Sequence, residues 1–349
     1  MASRLYESFL RPALFRMDPE AAHHLTLRLL RLSAAVPLVL PILRRVFQPE
    51  RPPRPVSAFG LTFPNRVGLA AGYDKEAEVI PGLCSLGFGH LEIGTITPRP
   101  QPGNPKPRVF RLPPDQAVIN RMGFPGSGAQ AGVRNLLRLR GQNGVYAGSV
   151  LGVNLGKNKD TPLEKAVDDY LVLMKAFAPY AGFLAINVSS PNTPGLRQLQ
   201  SRAHLEELLG QISTQRRALL PGLGRPLPVL VKLAPDLSWD EIDDALAAVE
   251  SSGMDGVIAT NTTLARTGLT APKAGETGGL SGAPLRKRST EIIAYIARHT
   301  SLPVIGVGGI MCPDDAQEKL DVGAVMVQVY TGMIYAGPGL VQDILNQIG

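Results

Sequence analysis

Eight short apolar runs, each followed by a stretch of helical periodicity, constrain this chain more than anything else in it. They are Val67–Ala71, His90–Thr97, Tyr146–Asn154, Phe183–Val188, Pro228–Leu233, Gly256–Thr260, Pro303–Val307 and Val325–Tyr330. Runs this short that do not alternate with polar residues fit strands buried on both faces of a parallel sheet. Helical patterns lie between them at roughly 76–86, 127–140, 162–178, 202–219, 238–252, 285–299 and 314–321, and another at 338–347 follows the last strand. Eight strands and eight helices across about 290 residues predict an α/β fold, a (β/α)8 TIM barrel. A doubly wound open sheet is the alternative. It is disfavoured because no Gly-x-Gly-x-x-Gly opens the first helix, where a dinucleotide fold needs it.

A barrel of this kind carries its chemistry at the C-terminal ends of its strands, so the residues standing there are the test. Strand 1 runs into Ala70-Ala71-Gly72-Tyr73-Asp74-Lys75, small residues that let a flat ligand approach the backbone, followed by a cation. Strand 2 ends in Gly94-Thr95-Ile96-Thr97, then the long Pro98–Pro114 loop with Arg108 and Arg111. Strand 3 ends in Asn154, ahead of Lys157 and Lys159, and strand 6 in Thr260-Asn261-Thr262-Thr263. Strand 5 holds Lys232 inside Val-Leu-Val-Lys-Leu, where an ammonium on an apolar strand needs a partner. Strand 4 runs into Asn187-Val-Ser189-Ser190-Pro-Asn192-Thr193, two amides and three hydroxyls within seven positions. Locally that stretch reads as a polar turn closed by Ser-Pro-Asn.

Strands 7 and 8 are the most specific. They end in Gly306-Val-Gly308-Gly309 and Tyr330-Thr331-Gly332, and glycine-rich turns at these two positions form the recurrent phosphate site of such barrels. The inventory is the lysines at strands 1 and 5 and several amides, with neither carboxylate nor histidine at the ends of strands 3 to 8. That suits holding an electron-rich heterocycle better than hydrolysis. A phosphate, a flat ring and lysines to hold negative charge point to a flavin mononucleotide, FMN. A phosphate-binding barrel isomerase shares the glycine turns but needs a strand-end carboxylate base, for which there is no candidate.

The N-terminus is of another kind. Residues 1–55 hold nine arginines against four acids, so +5 of the net +7 sits there, and the remainder is close to balanced. With no basic stripe interleaved with aromatics, nucleic acid is not the expected partner. Leu5, Tyr6, Phe9, Leu10, Leu14 and Phe15 form an apolar stripe among Arg4, Arg11 and Arg16. Asp18-Pro19-Glu20 is a helix start, leading into a leucine-rich helix that carries His23. The apolar run Ala34–Leu43 is broken by Pro37 and Pro41 and is too short to cross a membrane. Two amphipathic helices on a basic background predict either a peripheral contact with membrane lipid or a helical cap on the main domain. Residues 1–50 are expected to form this helical segment and residues 51–349 the barrel, with Arg51-Pro-Pro-Arg-Pro55 as a stiff linker. Cys84 and Cys312, far apart and without metal-ligand spacing, support neither a disulfide scaffold nor a metal site.

Taken in order, these motifs resemble class 2 dihydroorotate dehydrogenases, the flavin enzymes of pyrimidine synthesis that pass electrons to a membrane quinone. The resemblance runs nearly end to end. It rests on Ala70–Lys75, Asn104–Arg111 (Asn-Pro-Lys-Pro-Arg-Val-Phe-Arg), Ile119–Phe124 (Ile-Asn-Arg-Met-Gly-Phe), Asn187–Thr193, Val231-Lys232-Leu-Ala-Pro235, Thr260–Thr263 and Gly278-Gly-Leu-Ser-Gly282. It implies that Ser190 is the base, taking the C5 proton of dihydroorotate while the C6 hydride leaves to flavin. It implies substrate contacts from Lys75, Asn120, Arg121, Met122, Gly123, Phe124, Asn187, Asn192, Asn261 and Thr262. The flavin would be held by Ala70, Ala71, Gly72, Thr95, Asn154, Asn187, Lys232, Thr260, Ser281, Gly282, Gly308, Gly309, Tyr330 and Thr331. His23, Arg111 and Tyr330 would serve the quinone, in a tunnel formed by the N-terminal helices.

Class 1 relatives carry a cysteine base, whereas this position is serine and neither cysteine lies near it. Pro125-Gly126 follows Phe124 where relatives usually carry asparagine. The resemblance further implies a monomer on the cytoplasmic side of a bacterial cytoplasmic membrane. Another FMN barrel oxidoreductase with a soluble acceptor is the alternative reading, and the N-terminal helices argue against it.

Overall fold

A computed structural model describes residues 6–139 and 141–348. Arg4 and Leu5 of the N-terminal stripe, and position 140 of the predicted 127–140 helix, lie outside them. The chain begins with a π-helical turn, Tyr6–Leu10, then α1 (Arg11–Arg16), α2 (Pro19–Ala35) and α3 (Val39–Val46). Asp18 caps α2 as its sequence predicts: Oδ1 accepts from the Glu20 and Ala21 N–H groups at 3.0 Å, with Pro19 at the first helical position. No single described helix is long and apolar enough to cross a membrane. Helices α2 and α3 reach that length and composition only together, and they are bent by 116°.

The barrel follows. A hairpin of β1 (Val56–Ala58) and β2 (Leu61–Phe63) precedes β3 (Val67–Leu69), α4 (Ile80–Cys84) and β4 (His90–Ile96). Next come β5 (Val109–Leu112), β6 (Ala117–Asn120), α5 (Ala129–Arg138), β7 (Val145–Tyr146), β8 (Ser149–Leu155), α6 (Ala166–Phe177), β9 (Phe183–Asn187) and α7 (Arg202–Leu223). The chain closes with β10 (Val229–Leu233), α8 (Trp239–Ser251), β11 (Gly256–Ala259), β12 (Gly279–Gly282), α9 (Arg286–His299), β13 (Val304–Val307), α10 (Pro313–Asp321), β14 (Ala324–Val329), α11 (Thr331–Ala336) and α12 (Gly339–Ile348). Strands β4, β3, β14, β13, β11, β10, β9 and β8 pair in that order, all parallel, and β4 pairs with β8 to close the ring. The predicted TIM barrel is therefore the fold.

Three elements depart from the sequence reading. The run Tyr146–Asn154 is two strands, because Ala147 and Gly148 adopt positive φ and turn β7 back antiparallel onto β8. The predicted helix 76–86 shrinks to α4. The Asp74 carboxylate accepts from the N–H groups of Glu76, Glu78 and Val79, which holds that stretch as a turn. The Pro98–Pro114 segment is not all loop: β5, β6 and β12 form an antiparallel sheet over the C-terminal end of the barrel, with Asn120 opposite both Val109 and Gly279.

The other end of the barrel is plugged. Phe59 and Phe63 of the β1–β2 hairpin reach beneath the strands, and Phe63 meets His90 at 5.7 Å and Phe183 at 6.5 Å between ring centroids. His90 is wholly buried there, and burial lowers it to about 3, which keeps it neutral. With its lower mouth shut, the barrel can open only at the strand ends that carry the polar residues.

The N-terminal helices dock on that open end. Tyr6 donates to the Ile334 carbonyl at 2.8 Å, Phe15 packs edge-on against Tyr335, and Tyr73 donates to Thr26 Oγ1 at 2.9 Å. The strongest tie is a buried pair in which Arg108 Nη2 donates to Glu20 Oε1 at 2.7 Å. Burial alone would raise the Glu20 carboxyl, but Arg108 and Lys106 more than offset it and hold it low. The opposite side of the helices stays bare: Leu32, Val36, Leu38, Ile42 and Val46 are exposed, Leu38 by 72%. The segment is thus a cap on its inner side and an unpartnered apolar surface on its outer side.

Candidate active site

Side chains from five barrel strands and the loops after them converge at the open end. Lys232 on β10 faces Glu92 on β4 across the barrel, donating to both carboxylate oxygens at 3.2 Å. Asn154 on β8 donates its amide to Glu92 Oε1 at 2.5 Å. The Asn154 carbonyl oxygen in turn accepts from Thr95 Oγ1 at 2.5 Å and from the Asn187 amide at 3.0 Å. Asn187 also donates to Thr95 Oγ1 at 2.9 Å, and its own oxygen accepts from the Asn261 amide at 3.2 Å. One polar network therefore ties strands β4, β8, β9 and β10 to the loop after β11. Burial makes it rigid, since each member would be costly to leave unpaired.

Glu92 is the partner that Lys232 requires, and sequence reading did not single it out. The signal was present: a glutamate inside the apolar run His90–Thr97 is the same anomaly as a lysine inside Val229–Leu233. Gln328 on β14 was missed in the same way. It is 1% exposed, lines the cavity described below, and neither its Nε2 nor its Oε1 has a hydrogen-bond partner among the described residues.

Ser190 lies in the loop after β9. Its Oγ accepts from the Asn192 N–H at 3.3 Å and donates to no acceptor among the described residues. The loop is held from outside by Arg197, which donates to the Ser189 carbonyl at 3.0 Å, the Thr262 carbonyl at 2.9 Å and Asp236 at 2.7 Å. It is held from above by the β5–β6 excursion, where Asn104 donates to the Asn192 carbonyl and Asn192 donates to Asn120 Oδ1 at 3.2 Å. Thr193 is buried, and its hydroxyl has no hydrogen-bond partner among the described residues.

These groups border a cavity of about 830 Å³ that runs from the barrel mouth to the space between α1, α2 and α3. All the residues anticipated for substrate, flavin and quinone line it except two. Asn154 stands one layer behind, acting through Glu92, Thr95 and Asn187. Arg121 turns away, pairing with Glu276 at 2.6 Å and donating to the Pro107 carbonyl at 3.0 Å, with its guanidinium over the Phe110 ring. Arg121 Cβ instead lies beside Gly278, so the residue packs the lid sheet rather than the cavity. Pro125 lines the cavity wall, and Gly126 exchanges two backbone hydrogen bonds with Gln101.

The electrostatics grade along the cavity. Lys75 is half-buried and donates to the Gly72 carbonyl at 2.6 Å, and desolvation lowers it to about 8. Tyr330 donates to the same Gly72 carbonyl at 3.3 Å and packs against Tyr73 at 6.3 Å, and burial raises both phenols. Beyond Tyr73, burial, with Lys75 and His24 adding to it, lowers His23 to about 2, so its imidazole is neutral. Arg111 spends its guanidinium on the Leu14 and Met17 carbonyls at 2.9 and 2.8 Å and lies over the Phe15 ring, fastening α1 to the lid sheet. The barrel end is thus polar and cationic, and the helix end mostly apolar, with the Arg111 guanidinium taken up by helix carbonyls.

The donor set fits a flavin nucleotide. Ala70, Ala71 and Gly72 present backbone rather than bulk, and Lys232, Thr260 and the orphaned Gln328 amide offer polar groups to a heterocycle. Gly308 and Gly309 stand where a phosphate would lie, with φ of +119° and +73°.

Comparison with known proteins agrees. A family model described as dihydroorotate dehydrogenase matches residues 55–349. A protein of Roseiflexus sp. (strain RS-1), named dihydroorotate dehydrogenase (quinone), is 49% identical over 339 residues, covering 97% of this chain and 91% of the relative. One of the same name from Nitrosospira multiformis is 49% identical over 340 residues, covering 97% and 94%. A crystal structure of DHODH from Eimeria tenella in complex with ferulenol superposes with a TM-score of 0.84 at 38% identity, covering 94% of this chain and 90% of that one. The sequence motifs, the closed barrel and these relatives agree: the chain belongs to the dihydroorotate dehydrogenase family, in its quinone-dependent class.

Proposed function

We propose that this protein oxidises dihydroorotate to orotate with flavin mononucleotide as its resident hydride acceptor, and delivers the electrons to a quinone that enters between the N-terminal helices. The observation that carries this reading is the continuous cavity, cationic and polar at the barrel mouth and apolar between α1, α2 and α3. Ala70, Gly72, Thr260, Ser281, Gly308, Gly309 and Thr331 would hold the flavin, with Lys232 and Gln328 reaching its ring. When bound, the flavin supplies the two-electron acceptor that side chains lack.

The substrate is an anion with an imide ring. Lys75 would hold its carboxylate, while Asn120, Asn192, Asn261 and Thr262 offer amides and a hydroxyl to the ring. Ser190 Oγ takes the C5 proton. A serine hydroxyl is a weak base, so the proton must leave as it arrives. The Thr193 hydroxyl, three positions on, is buried and has no hydrogen-bond partner among the described residues, which supports a relay at that point. Arg197 and Asn104 hold the loop shut and exclude water, which strengthens every charge interaction inside. The bare apolar side of α2 and α3 supports a peripheral seat on a membrane, where quinones reside.

The test is spectroscopic. The purified protein is expected to be yellow with a flavin spectrum, to bleach on adding dihydroorotate without oxygen, and to recover its colour on adding a soluble quinone. A colourless protein, or a yellow one that dihydroorotate leaves unbleached, would overturn the reading.

Lys75 adds a pH dependence. Its free ammonium loses its proton as pH rises through about 8, because burial has lowered it. Orotate is therefore expected to bind tightly below that value and progressively more weakly above it. Lys75→Met should bind orotate weakly at every pH. Calorimetric titration on both sides of the transition checks this, and a native affinity that ignores pH would remove Lys75 from the role.

A further inference from the structure

Lys319 is a buried cation that forms no ion pair among the described residues. It lies on α10 with its side chain fully buried, 0% exposed. Its ammonium donates to Ser289 Oγ at 2.5 Å and Thr290 Oγ1 at 3.0 Å, both neutral hydroxyls on α9. The nearby acids are engaged elsewhere: Asp315 and Glu318 pair with Arg286 at 2.5 and 3.5 Å, and no carboxylate among the described residues pairs with Lys319. A buried ammonium without a charged partner is costly to keep, and that calls for a compensating anion. Burial lowers Lys319 to about 8, with Glu318 and Asp315 pulling the other way, so most of the population is charged at neutral pH.

The hydroxyls lead toward the cavity. Ser289 Oγ accepts a hydrogen bond from Lys319 and has the Gly308 carbonyl within reach of its own proton at 2.9 Å, nearer than the Arg286 carbonyl at 3.1 Å. Gly308 and Gly309 form the turn after β13 and line the cavity. In a trans peptide the carbonyl and the following N–H point opposite ways. Anchoring the Gly308 carbonyl toward α9 therefore turns the Gly309 N–H away from α9, and that N–H has no acceptor among the described residues. The turn is pressed flat: a Cβ on Gly309 would lie 2.4 Å from Arg286 Cα, and one on Gly308 3.0 Å from Ser289 Oγ. The Gly308–Gly309 turn thus lies against Ser289 and Arg286 on one side and lines the cavity on the other.

We propose that Lys319 is the buried cation of the phosphate cradle: through Ser289 it fixes and polarises the Gly308–Gly309 peptide, and its charge favours a phosphate monoester that it does not touch. This rests on the flavin-nucleotide reading and deepens it, since it assigns recognition of the phosphate as distinct from the ring. Lys319 is a positioning residue. The glycine turn supplies the N–H groups and α10 supplies the charge, which explains how a cradle lined by no cationic side chain can hold a dianion.

Riboflavin has the ring without the phosphate and gives a direct test. Flavin is stripped from the holoenzyme, and rebinding of FMN and of riboflavin is followed by quenching of flavin fluorescence. The native protein should prefer FMN strongly. Lys319→Met should weaken FMN by about tenfold or more, the loss of a charge-assisted hydrogen-bond chain, while riboflavin affinity stays within about twofold. Ser289→Ala keeps the lysine and cuts the link, and should lower FMN affinity alone by a smaller factor. If Lys319→Met does not fold, Ser289→Ala is read in the same way. An unchanged preference for FMN in the variants, or equal weakening of both flavins, overturns the proposal. A native protein that binds FMN no better than riboflavin overturns the phosphate reading itself, and this proposal with it.

Discussion

Replacing Ser190 with alanine is expected to leave a yellow protein that still binds orotate and is reduced by dihydroorotate some two to four orders of magnitude more slowly, the range of a single general-base contribution. The expectation follows from how the loop is built. Ser190 Oγ makes one hydrogen bond among the described residues, accepting from the Asn192 N–H at 3.3 Å, so its loss removes little structure. The loop keeps its anchors through Arg197 and Asn104. The side-chain amides that would hold the substrate are fixed by other residues: Asn261 by Asn187, and Asn192 by Asn120, with only the Asn192 backbone N–H reaching Ser190. Stopped-flow bleaching of the flavin isolates the step, because it precedes any reaction with quinone. Ser190→Cys should recover part of the rate and shift its pH profile toward thiol ionisation, since a thiolate is the better base. Bleaching in Ser190→Ala at the native rate would remove Ser190 from the role, and loss of orotate binding would make it a binding residue instead.

What the sequence disclosed and what it withheld divide along one physical line. The parallel strands were legible because each is buried on both faces, which forces a continuous apolar run at a fixed spacing. The α2 start was legible because Asp18, Pro19 and Glu20 satisfy helix N–H groups locally. The β1–β2 hairpin and the β5–β6–β12 sheet were not. Their strands are three or four residues long, and the pairing of Gly279 with Asn120 spans the chain without local signature. In the site, single residues at strand ends could be named, but partnerships could not. Lys232 announced that it needed a partner, and only the closed ring brings Glu92 to it, 140 positions away in sequence. Arg121 sits inside a motif whose other members line the cavity, yet its side chain leaves for Glu276. A motif fixes the backbone path, and the direction of each side chain depends on what packs behind it.

Removing residues 1–50 is expected to abolish reduction of quinone while sparing reduction of a soluble dye to within a few fold. The closed ring does not include the helices: the strands close on themselves, and the plug at the lower end comes from Phe59 and Phe63, which lie beyond the deletion, while Phe47, Leu27, Leu30 and Leu43 pack on the core from outside it. The apolar half of the cavity does depend on them, being walled by Leu14, Leu25, Leu29, Leu43 and Phe47. Without those walls an apolar acceptor has no surface to bury against, whereas a water-soluble dye reaches the barrel mouth more freely. The deletion also strips Arg108 of Glu20, and breaking a buried pair by removing one partner costs about 3–5 kcal/mol. Thermal unfolding must therefore be recorded beside activity. Ala22→Trp supplies the control that keeps the helices in place. Ala22 is nearly buried on α2 and lines the cavity, so an indole there fills the passage at the cost of about 1–3 kcal/mol of overpacking. It should raise the KM for quinone with the dye rate unchanged. Equal loss of quinone and dye reduction in a folded Ala22→Trp protein would show that the space between the helices is not the route by which quinone arrives.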